Sequence, residues 1–434
     1  MRVTVADMVM WSGASQVAGP TGIVCEGATA DSRDVGSGQL FVGVPGENVD
    51  GGLHAPEAIS AGAAAVLIST DAWAGTADDL QGSGAAILVH DDPVAALGMV
   101  GQGALQRLDA RVVGVTGSYG KTSTKDSVVA VLRAVGVRAE GTPGNRNTEV
   151  GVPLSILGLQ GSTQVAVIEM AMRGTGQIAE LCALAPPDVA VITSVGPVHL
   201  ELLGTVAAIA RAKAEILGAL TAGGVAVVPT DEPLLDPYVA GLPAGVSVLM
   251  FGDEPDVDLE VGDIKAWERR NLAAAVQAAR ALGHAPLSGT CVVLERSAMR
   301  GIEHRLPGGG TLVEDCYNAN PPAMEAALAD LCRRPGRRVA VLADMLELGP
   351  DEATFHRQVG ERARDLGVDL LVAVGTRASA YPDGARGIEC IAFDDTDAAV
   401  AGVPALIAPG DVVLVKGSRG MAMERVAHAI LSGG

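Results

Sequence analysis

The stretch VVGVTGSYGKTSTK at residues 112–125 decides the fold of this chain of 434 residues. It reads as a buried strand, a glycine loop and the start of a helix whose apolar residues recur at i, i+3, i+4 and i+7. Glycines let the backbone wrap a phosphate, and the amide groups at a helix N-terminus face its charge. Lys121 would reach the β- and γ-phosphates, and Thr122 would meet Mg²⁺. The pattern predicts ATP binding, although Val115 stands where the usual motif has a glycine. The alternative is an ordinary glycine-rich turn followed by a solvated lysine.

Length and pattern predict an α/β chain of three domains, since about 150 residues make one domain. Strand and helix signals alternate throughout, and each domain has its own set of buried apolar runs. The middle domain has continuous apolar strands typical of a doubly wound parallel sheet, and the last is Rossmann-like. Asp92, followed by proline, predicts the start of a helix that leads into the middle domain. The expected boundaries are 1–91, 92–285 and 286–434.

Composition excludes several classes of protein. The net charge of −20 disfavours binding to a nucleic-acid backbone. No apolar run is long enough to cross a membrane, and Asp7 interrupts the region where a secretory leader needs its apolar core. The six cysteines are scattered without a CxxC pair, which argues against a disulfide framework or a zinc site. We therefore expect a cytoplasmic protein without membrane insertion.

Two polar residues follow buried strands of the middle domain. Glu169 ends the apolar run at 165–170, and His199 follows the run at 189–195. Because doubly wound sheets bind ligands beyond the carboxyl ends of their strands, we expect both residues to meet Lys121 and Thr122 in one crevice. A carboxylate there suits Mg²⁺. A single histidine is also a common structural residue, so this evidence leaves both roles open for His199.

Lys213 interrupts the apolar face of a helix at 205–220, whereas Arg211 points away from that face. Burial lowers the pKa of a lysine, and a neutral amine can take up CO₂ to become an anionic carbamate that holds metal. The alternative is a lysine whose stem is buried and whose charge reaches solvent.

These segments, with their neighbours, resemble the ATP-dependent Mur ligases of peptidoglycan synthesis. The resemblance spans nearly the whole chain. It is carried by the glycine loop and by GNRNTEVGVP (144–153), VIEMAMRGTGQI (167–178), ITSVGPVHLELLG (192–204) and AKAEIL (212–217). Four further motifs resemble the member that takes a UDP-linked tripeptide, namely DSRDVGSGQLFVGVPGE (31–47), DCYNANP (315–321), LADMLELG (342–349) and VLVKGSRGMAMERV (413–426).

The resemblance implies a domain for the UDP-sugar, a central ATPase and a domain that closes over the site. It implies UDP-N-acetylmuramoyl-tripeptide and D-alanyl-D-alanine as substrates, ATP and Mg²⁺ as cofactors, and a monomer. The implied catalytic residues are Lys121, Lys213, His199 and Glu169, of which the last three, with Thr122, would hold metal. The implied ATP-binding residues are Gly117, Ser118, Gly120, Lys121, Thr122, Ser123, Asn271, Asp315 and Asn318. The implied substrate-binding residues are Ser32, Arg33, Asn147, Thr148, Tyr317, Asn320, Lys416, Ser418 and Arg419.

One segment departs from the family pattern. After Gly252 the family has a longer run of strands that ends in GxHNxxN, but this chain reads KAWERRN at 265–271 and retains only Asn271. We therefore expect weak recognition of adenine, unless Trp267 stacks on the base in place of the lost contacts. The departure leaves two alternatives open. One is another ligase of the superfamily, such as folylpolyglutamate synthase, and the other is an inactive relative that binds nucleotide or muropeptide in a regulatory role.

Overall fold

The computed structural model describes residues 1–295 and 299–433. Its N-terminal part contains a five-stranded sheet and a small two-stranded sheet. The strands are β1 (Arg2–Thr4), β2 (Ser15–Ala18), β3 (Val24–Glu26), β4 (Ala28–Thr29), β5 (Leu40–Val42), β6 (Ala65–Ile68) and β7 (Ala86–Val89). The helices are α1 (Val5–Ser12), α2 (Ala55–Ser60) and α3 (Thr70–Leu80). The larger sheet has the order β2-β7-β6-β5-β4, in which only β2 is antiparallel to its neighbour. We call this part the N-terminal unit.

Helix α4 (Pro93–Leu108) joins the N-terminal unit to the next sheet. The Asp92 carboxylate accepts hydrogen bonds from the backbone amides of Val94 and Ala95, so the predicted helix start is confirmed. The helix packs on α1 through Gly103, where an added Cβ would lie 2.3 Å from the ring of Trp11. The small residue therefore sets how closely the two helices approach.

The central unit is a six-stranded parallel sheet, as the buried apolar runs predict. Its strands are β8 (Arg111–Thr116), β9 (Ala139–Gly141), β10 (Val165–Glu169), β11 (Val189–Ile192), β12 (Val225–Pro229) and β13 (Ser247–Phe251). The order is β13-β12-β11-β8-β10-β9, so β8 lies between β10 and β11. The carboxyl ends of these three strands therefore lie side by side at the point where the strand order reverses. Doubly wound sheets hold their ligands at this switch point.

Helices cover both faces of the central sheet. They are α5 (Lys121–Ala134), α6 (Gly151–Gly158), α7 (Gln177–Leu184), α8 (Leu200–Leu203), α9 (Val206–Gly218), α10 (Asp236–Ala240) and α11 (Ala266–Ala281). The segment KAWERRN forms the start of α11, because Lys265 is its N-cap residue. Between β13 and α11 the chain forms only the short strand β14 (Leu259–Glu260), which pairs with β15 (Thr290–Cys291). The connection from Gly252 to α11 is therefore short and contains only this two-residue strand.

The C-terminal unit is a second six-stranded sheet. Its strands are β16 (Ile302–Arg305), β17 (Thr311–Asp315), β18 (Arg338–Ala343), β19 (Leu370–Val374), β20 (Glu389–Phe393) and β21 (Val412–Lys416). Its helices are α12 (Pro321–Cys332), α13 (Glu352–Leu366), α14 (Tyr381–Gly384), α15 (Thr396–Gly402) and α16 (Glu424–Leu431). The order is β16-β17-β21-β18-β19-β20, and only the edge strand β16 is antiparallel. The predicted Rossmann-like core is present, with one added antiparallel edge.

The structure can be compared with what the composition predicts for disulfides and for membrane-spanning helices. All six cysteines are free thiols. Among the described residues, no helix combines the length and the apolar character needed to span a bilayer. The domain boundaries at 91/92 and 285/286 stay predictions.

We expect Gly103→Ala to lower the free energy of unfolding by about 1–3 kcal/mol, because the new methyl group overlaps the rigid ring of Trp11. Gly158→Ala is the matched control, since nothing lies within 4 Å of its added Cβ at the end of α6. Thermal unfolding of the two variants tests this prediction. Equal Tm values would show that the contact between α1 and α4 has room for a methyl group.

Candidate active site

The glycine loop lies between β8 and α5, and its backbone requires glycine at two positions. Gly117 and Gly120 have φ values of 152° and 80°. A Cβ at Gly117 would lie 1.9 Å from the hydroxyl oxygen of Thr193, at the end of the neighbouring strand. The amide of Ser118 donates to the carbonyl of Ser194, 3.0 Å away. The loop is therefore held against the end of β11, and the first amides of α5 face the space above it.

Lys121 folds back over this loop. Its Nζ donates to the carbonyl of Gly117 at 2.8 Å. Burial lowers the pKa of Lys121, the Glu169 carboxylate opposes that shift, and the Arg300 guanidinium adds to it. Two cations and one carboxylate thus surround the mouth of the loop. These three groups together carry a net positive charge, which suits a ligand with several negative charges.

Glu169 is buried at the carboxyl end of β10 and receives two hydrogen bonds. Thr122 Oγ1 donates to its Oε2 at 2.8 Å, and Asn147 Nδ2 donates to its Oε1 at 2.7 Å. Arg300 Nη2 in turn donates to Thr122 Oγ1 at 3.0 Å. Carboxylate and hydroxyl oxygens are the ligands that Mg²⁺ prefers. The donor set around Glu169 therefore fits that ion.

A cleft of about 320 Å³ opens in front of these groups, between the central and C-terminal units. Most of the residues predicted for nucleotide and substrate line it. They are Ser118, Gly120, Lys121, Thr122, Ser123, Asn147, Glu169, Asn271, Asp315, Tyr317, Asn318, Asn320 and Lys416. The structure therefore brings together residues that lie up to three hundred positions apart in the chain.

The C-terminal wall of the cleft is built around a buried lysine. Lys416 Nζ pairs with the Asp315 carboxylate at 2.7 Å and donates to the carbonyl of Asn318 at 2.9 Å. Arg300 lies over the ring of Tyr317, with its guanidinium carbon 3.8 Å from the ring centroid. These contacts fix the ends of β17 and β21 opposite the glycine loop.

The far end of the cleft contains the start of α11. Trp267 lies in its wall, and Lys265 Nζ pairs with the Asp330 carboxylate of α12 at 3.1 Å. The carboxamide oxygen of Asn271 accepts a hydrogen bond from Thr124 Oγ1 at 3.2 Å. The segment that lost the family motif thus still forms one wall of the cleft, with different side chains.

His199 is not among the residues that line this cleft, so its meeting with Lys121 and Glu169 in one crevice stays a prediction. Its Nδ1 lies 2.5 Å from Oε2 of Glu347, in the C-terminal unit. That hydrogen bond lowers the pKa of Glu347. Six residues separate the carboxyl end of β11 from His199.

Lys213 is buried on α9 and Arg211 is exposed, as the apolar face predicts. Burial and the positive charge of Lys121 hold the pKa of Lys213 well below its ordinary value. Lys213 is not a lining residue of the cleft. Within the described ranges, no group of three or more His, Cys, Asp and Glu side chains is arranged to hold a metal. A metal site here would need mixed donors.

Six other predicted residues are not among those that line the cleft, and one of them is Gly117 of the glycine loop, described above. Arg33 is exposed and pairs with Asp31 beside Ser32, in the N-terminal unit. Thr148 Oγ1 accepts a hydrogen bond from the amide of Gly151. Ser418 Oγ accepts one from the amide of Leu346, and Arg419 pairs with Glu424. The structure gives Arg33, Thr148, Ser418 and Arg419 local partners. The role of these four residues and of Ser32 in substrate binding stays a prediction.

Sequence reasoning missed two residues of the site. Arg300 contacts Thr122 and Tyr317, and Glu347 contacts His199. Neither residue interrupts an apolar pattern or belongs to a phosphate motif. Arg300 is 178 positions from Thr122 and Glu347 is 148 positions from His199, so no spacing within the chain indicated these two pairs.

Comparisons with known proteins agree with this geometry. Three family models match the chain, described as "Mur ligase family, catalytic domain" at residues 25–107, "Mur ligase middle domain" at 115–293 and "Mur ligase, glutamate ligase domain" at 300–419. A Bacillus subtilis protein named UDP-N-acetylmuramoyl-tripeptide–D-alanyl-D-alanine ligase is 33% identical, and the match covers 94% of this chain and 93% of the relative.

Two solved structures are similar over nearly their whole length. A crystal structure of MurF from Acinetobacter baumannii has a TM-score of 0.84 at 26% identity, covering 100% of this chain and 99% of that one. MurF from Thermotoga maritima, in complex with ADP, has a TM-score of 0.78 at 30% identity, covering 94% and 97%. The chain therefore belongs to the Mur ligase family, within the group of UDP-N-acetylmuramoyl-tripeptide–D-alanyl-D-alanine ligases.

Proposed function

We propose that the protein joins D-alanyl-D-alanine to UDP-N-acetylmuramoyl-tripeptide and converts ATP to ADP and phosphate. The observation that carries this proposal is the cleft, where the glycine loop faces Asp315, Tyr317 and Lys416 of the C-terminal unit. A phosphate-binding loop alone would support only nucleotide binding. The wall from the C-terminal unit would hold the group that accepts the phosphoryl group next to the γ-phosphate of ATP.

The reaction has two steps that use these residues. An oxygen of the tripeptide's terminal carboxylate attacks the γ-phosphorus of ATP, the bond to the β-phosphate oxygen breaks, and ADP leaves. The amine nitrogen of D-alanyl-D-alanine then attacks the acyl carbon, loses a proton and expels phosphate. Lys121 and the first amides of α5 stabilise the charge on the phosphoryl oxygens, and Arg300 adds a second cation.

Mg²⁺ would be held by Thr122, Glu169, His199 and Lys213 in carbamate form. When bound, the ion neutralises phosphate charge during transfer. Asn147 holds the Glu169 carboxylate at 2.7 Å and so limits its rotation. The roles of Ser32, Arg33, Thr148, Asn320, Ser418 and Arg419 in substrate binding, the cytoplasmic location and the monomeric state remain part of this proposal.

We expect ADP formation only when UDP-N-acetylmuramoyl-tripeptide and D-alanyl-D-alanine are both present. Lys121→Ala should lower the rate by about 100-fold or more, because it removes a cation that stabilises the transition state. A coupled ADP assay measures the rate, and mass spectrometry identifies the joined product.

Three outcomes would contradict this assignment or a part of it. ATP turnover that responds to a folate and not to the tripeptide would favour a folylpolyglutamate synthase. The inactive relative would be favoured if the protein bound nucleotide but formed no ADP with any of the UDP-tripeptides tested, which differ in the diamino acid at the third position. Near-full activity of Lys121→Ala would remove the assigned role of the glycine loop.

Lys213 should carry a carbamate, because its lowered pKa leaves more of the neutral amine available to CO₂ at neutral pH than an ordinary lysine has. Lys213→Ala should inactivate the enzyme without unfolding it, and small carboxylates should restore part of the activity. Arg211→Ala is the matched control on the exposed side of α9. Unmodified lysine density in a nucleotide-bound crystal grown with bicarbonate would contradict the prediction.

Selection of the nucleotide base should be weak. The start of α11 has lost the family's histidine and one asparagine, which removes polar contacts to the base. Trp267 lines the cleft and is the residue that would replace them by stacking. We expect the affinities for non-hydrolysable analogues of ATP and GTP to differ by less than about tenfold, or about 1.4 kcal/mol. Calorimetric titration measures both affinities. A strong preference for the adenine analogue would show that the changed segment still reads the base.

A further inference from the structure

We propose that Lys265 is a positioning residue that holds the two walls of the cleft at a fixed separation before a nucleotide binds. It does so through its ion pair with Asp330, which joins the start of α11 to the C-terminal unit. The proposal rests on the proposed function, because it takes the cleft as the nucleotide site. Lys265 stands where the family motif GxHNxxN has a glycine, so the pair is a feature of this chain and not of the motif.

The backbone of Lys265 is fixed on the central wall. Lys265 is the N-cap residue of α11, and its amide donates to Oε2 of Glu268 at 2.7 Å. The amides of Glu268 and Arg269 donate in turn to the carbonyl of Lys265. The lysine side chain therefore extends from a defined point, and both it and Trp267 line this end of the cleft.

Asp330 lies on the opposite wall, on the face of α12 that lines the cleft. This face has the helical spacing 323, 326, 327 and 330, and its first three residues are alanines. A carboxylate beside alanines, with 16% of its side chain exposed, is unfavourable unless cations pair with it. Arg334 of the same unit is one partner at 3.0 Å, and Lys265 is another at 3.1 Å. The pair with Lys265 crosses the cleft.

The pair across the cleft is largely buried. The side chain of Lys265 is 10% exposed, so its attraction to Asp330 is stronger than that between two fully solvated charges. Removing one partner of such a pair leaves the other charge poorly solvated. By contrast, the pair of Arg269 with Glu254 is exposed and joins two residues of the central unit. The two pairs of α11 thus differ in burial and in what they connect.

A glycine makes room for the lysine where the chain enters the C-terminal unit. Gly301 immediately precedes β16 and has a φ of 70°. A Cβ at this position would lie 3.1 Å from Nζ of Lys265 and 4.0 Å from the ring of Trp267. The ammonium group therefore lies close to the segment between the two units as well as to α12. Both neighbours hold the start of α11 against the C-terminal unit.

A fixed separation of the walls affects the affinity for a nucleotide. When the walls are in place in only a fraction of the molecules, the apparent affinity falls by that fraction. The start of α11 has lost two polar residues of the family motif, which weakens direct contacts to the base. The ion pair offsets part of this loss, because walls that are already in place need no ordering when the nucleotide binds.

The first test is calorimetric titration of the full chain with non-hydrolysable analogues of ATP and GTP. Lys265→Met keeps most of the stem without the charge and should weaken both affinities by about 5- to 30-fold. Lys265→Arg should stay within about threefold of the unaltered chain, because a guanidinium group still pairs with Asp330. In a double-mutant cycle with Asp330→Asn, the two losses should not be additive. Arg269→Met is the matched control on the same helix and should bind as the unaltered chain does.

The second test measures the separation of the two units without nucleotide, which a general loss of stability would leave unchanged in the folded protein. Spin labels carried by non-natural amino acids are placed at exposed Val248 of β13 and exposed Ala392 of β20. Pulsed electron paramagnetic resonance should give one narrow distance distribution for the unaltered chain and for Arg269→Met. Lys265→Met should give a broader distribution, which the ATP analogue narrows again.

Three results would overturn the proposal. They are an unchanged affinity and distance distribution in Lys265→Met, an equal change in Arg269→Met, and a loss for one analogue only, which would mean that Lys265 reads the base. If neither analogue bound the unaltered chain, the proposed function would fail, and the distances in the nucleotide-free protein would still decide the role of Lys265. The tests contain neither tripeptide nor D-alanyl-D-alanine, so a failure of the joining reaction alone would leave both results unaffected.

Discussion

The arrangement of the site depends on one buried hydrogen bond, from the Thr122 hydroxyl to the Glu169 carboxylate. A buried carboxylate without donors is strongly unfavourable, so Glu169 requires both Thr122 and Asn147 in place. Thr122 fixes the first turn of α5, and Asn147 fixes the loop before α6. Arg300 then attaches the C-terminal unit to the same hydroxyl. A single carboxylate thus connects the glycine loop, two strands and the second wall of the cleft.

Local patterns predicted most of the fold. The central and C-terminal strands follow from continuous apolar runs, because strands covered on both faces need apolar residues at every position. The start of α4 follows from Asp92 and its proline, whose effect extends only over the next turn. The position of Glu169 followed in the same way, since a carboxylate at the end of a buried strand interrupts an otherwise apolar run. The burial of Lys213 could be predicted because its helix has a regular apolar face.

Contacts between the units could not be predicted from the sequence. Arg300 is an ordinary charged residue in its own segment, and only the fold places it beside Thr122. The place of His199 near Glu169 was expected because strand ends converge, whereas its contact with Glu347 of the C-terminal unit has no signal in the sequence. Sequence spacing constrains neighbours within a helix or strand. It carries no information on how far an irregular loop extends from the sheet.

The cleft has one wall from the central unit and one from the C-terminal unit, and this has a consequence for timing. A nucleotide that fills the space between the glycine loop and Lys416 contacts both walls at once. Release of a nucleotide held in this way requires the contacts to both walls to be broken. Where product release requires such a separation, the separation is a step of every catalytic cycle, and in many enzymes that motion limits the turnover rate more than the chemistry does. The ion pair between Lys265 and Asp330 also joins the two walls at the far end of the cleft, so separating the walls would break it.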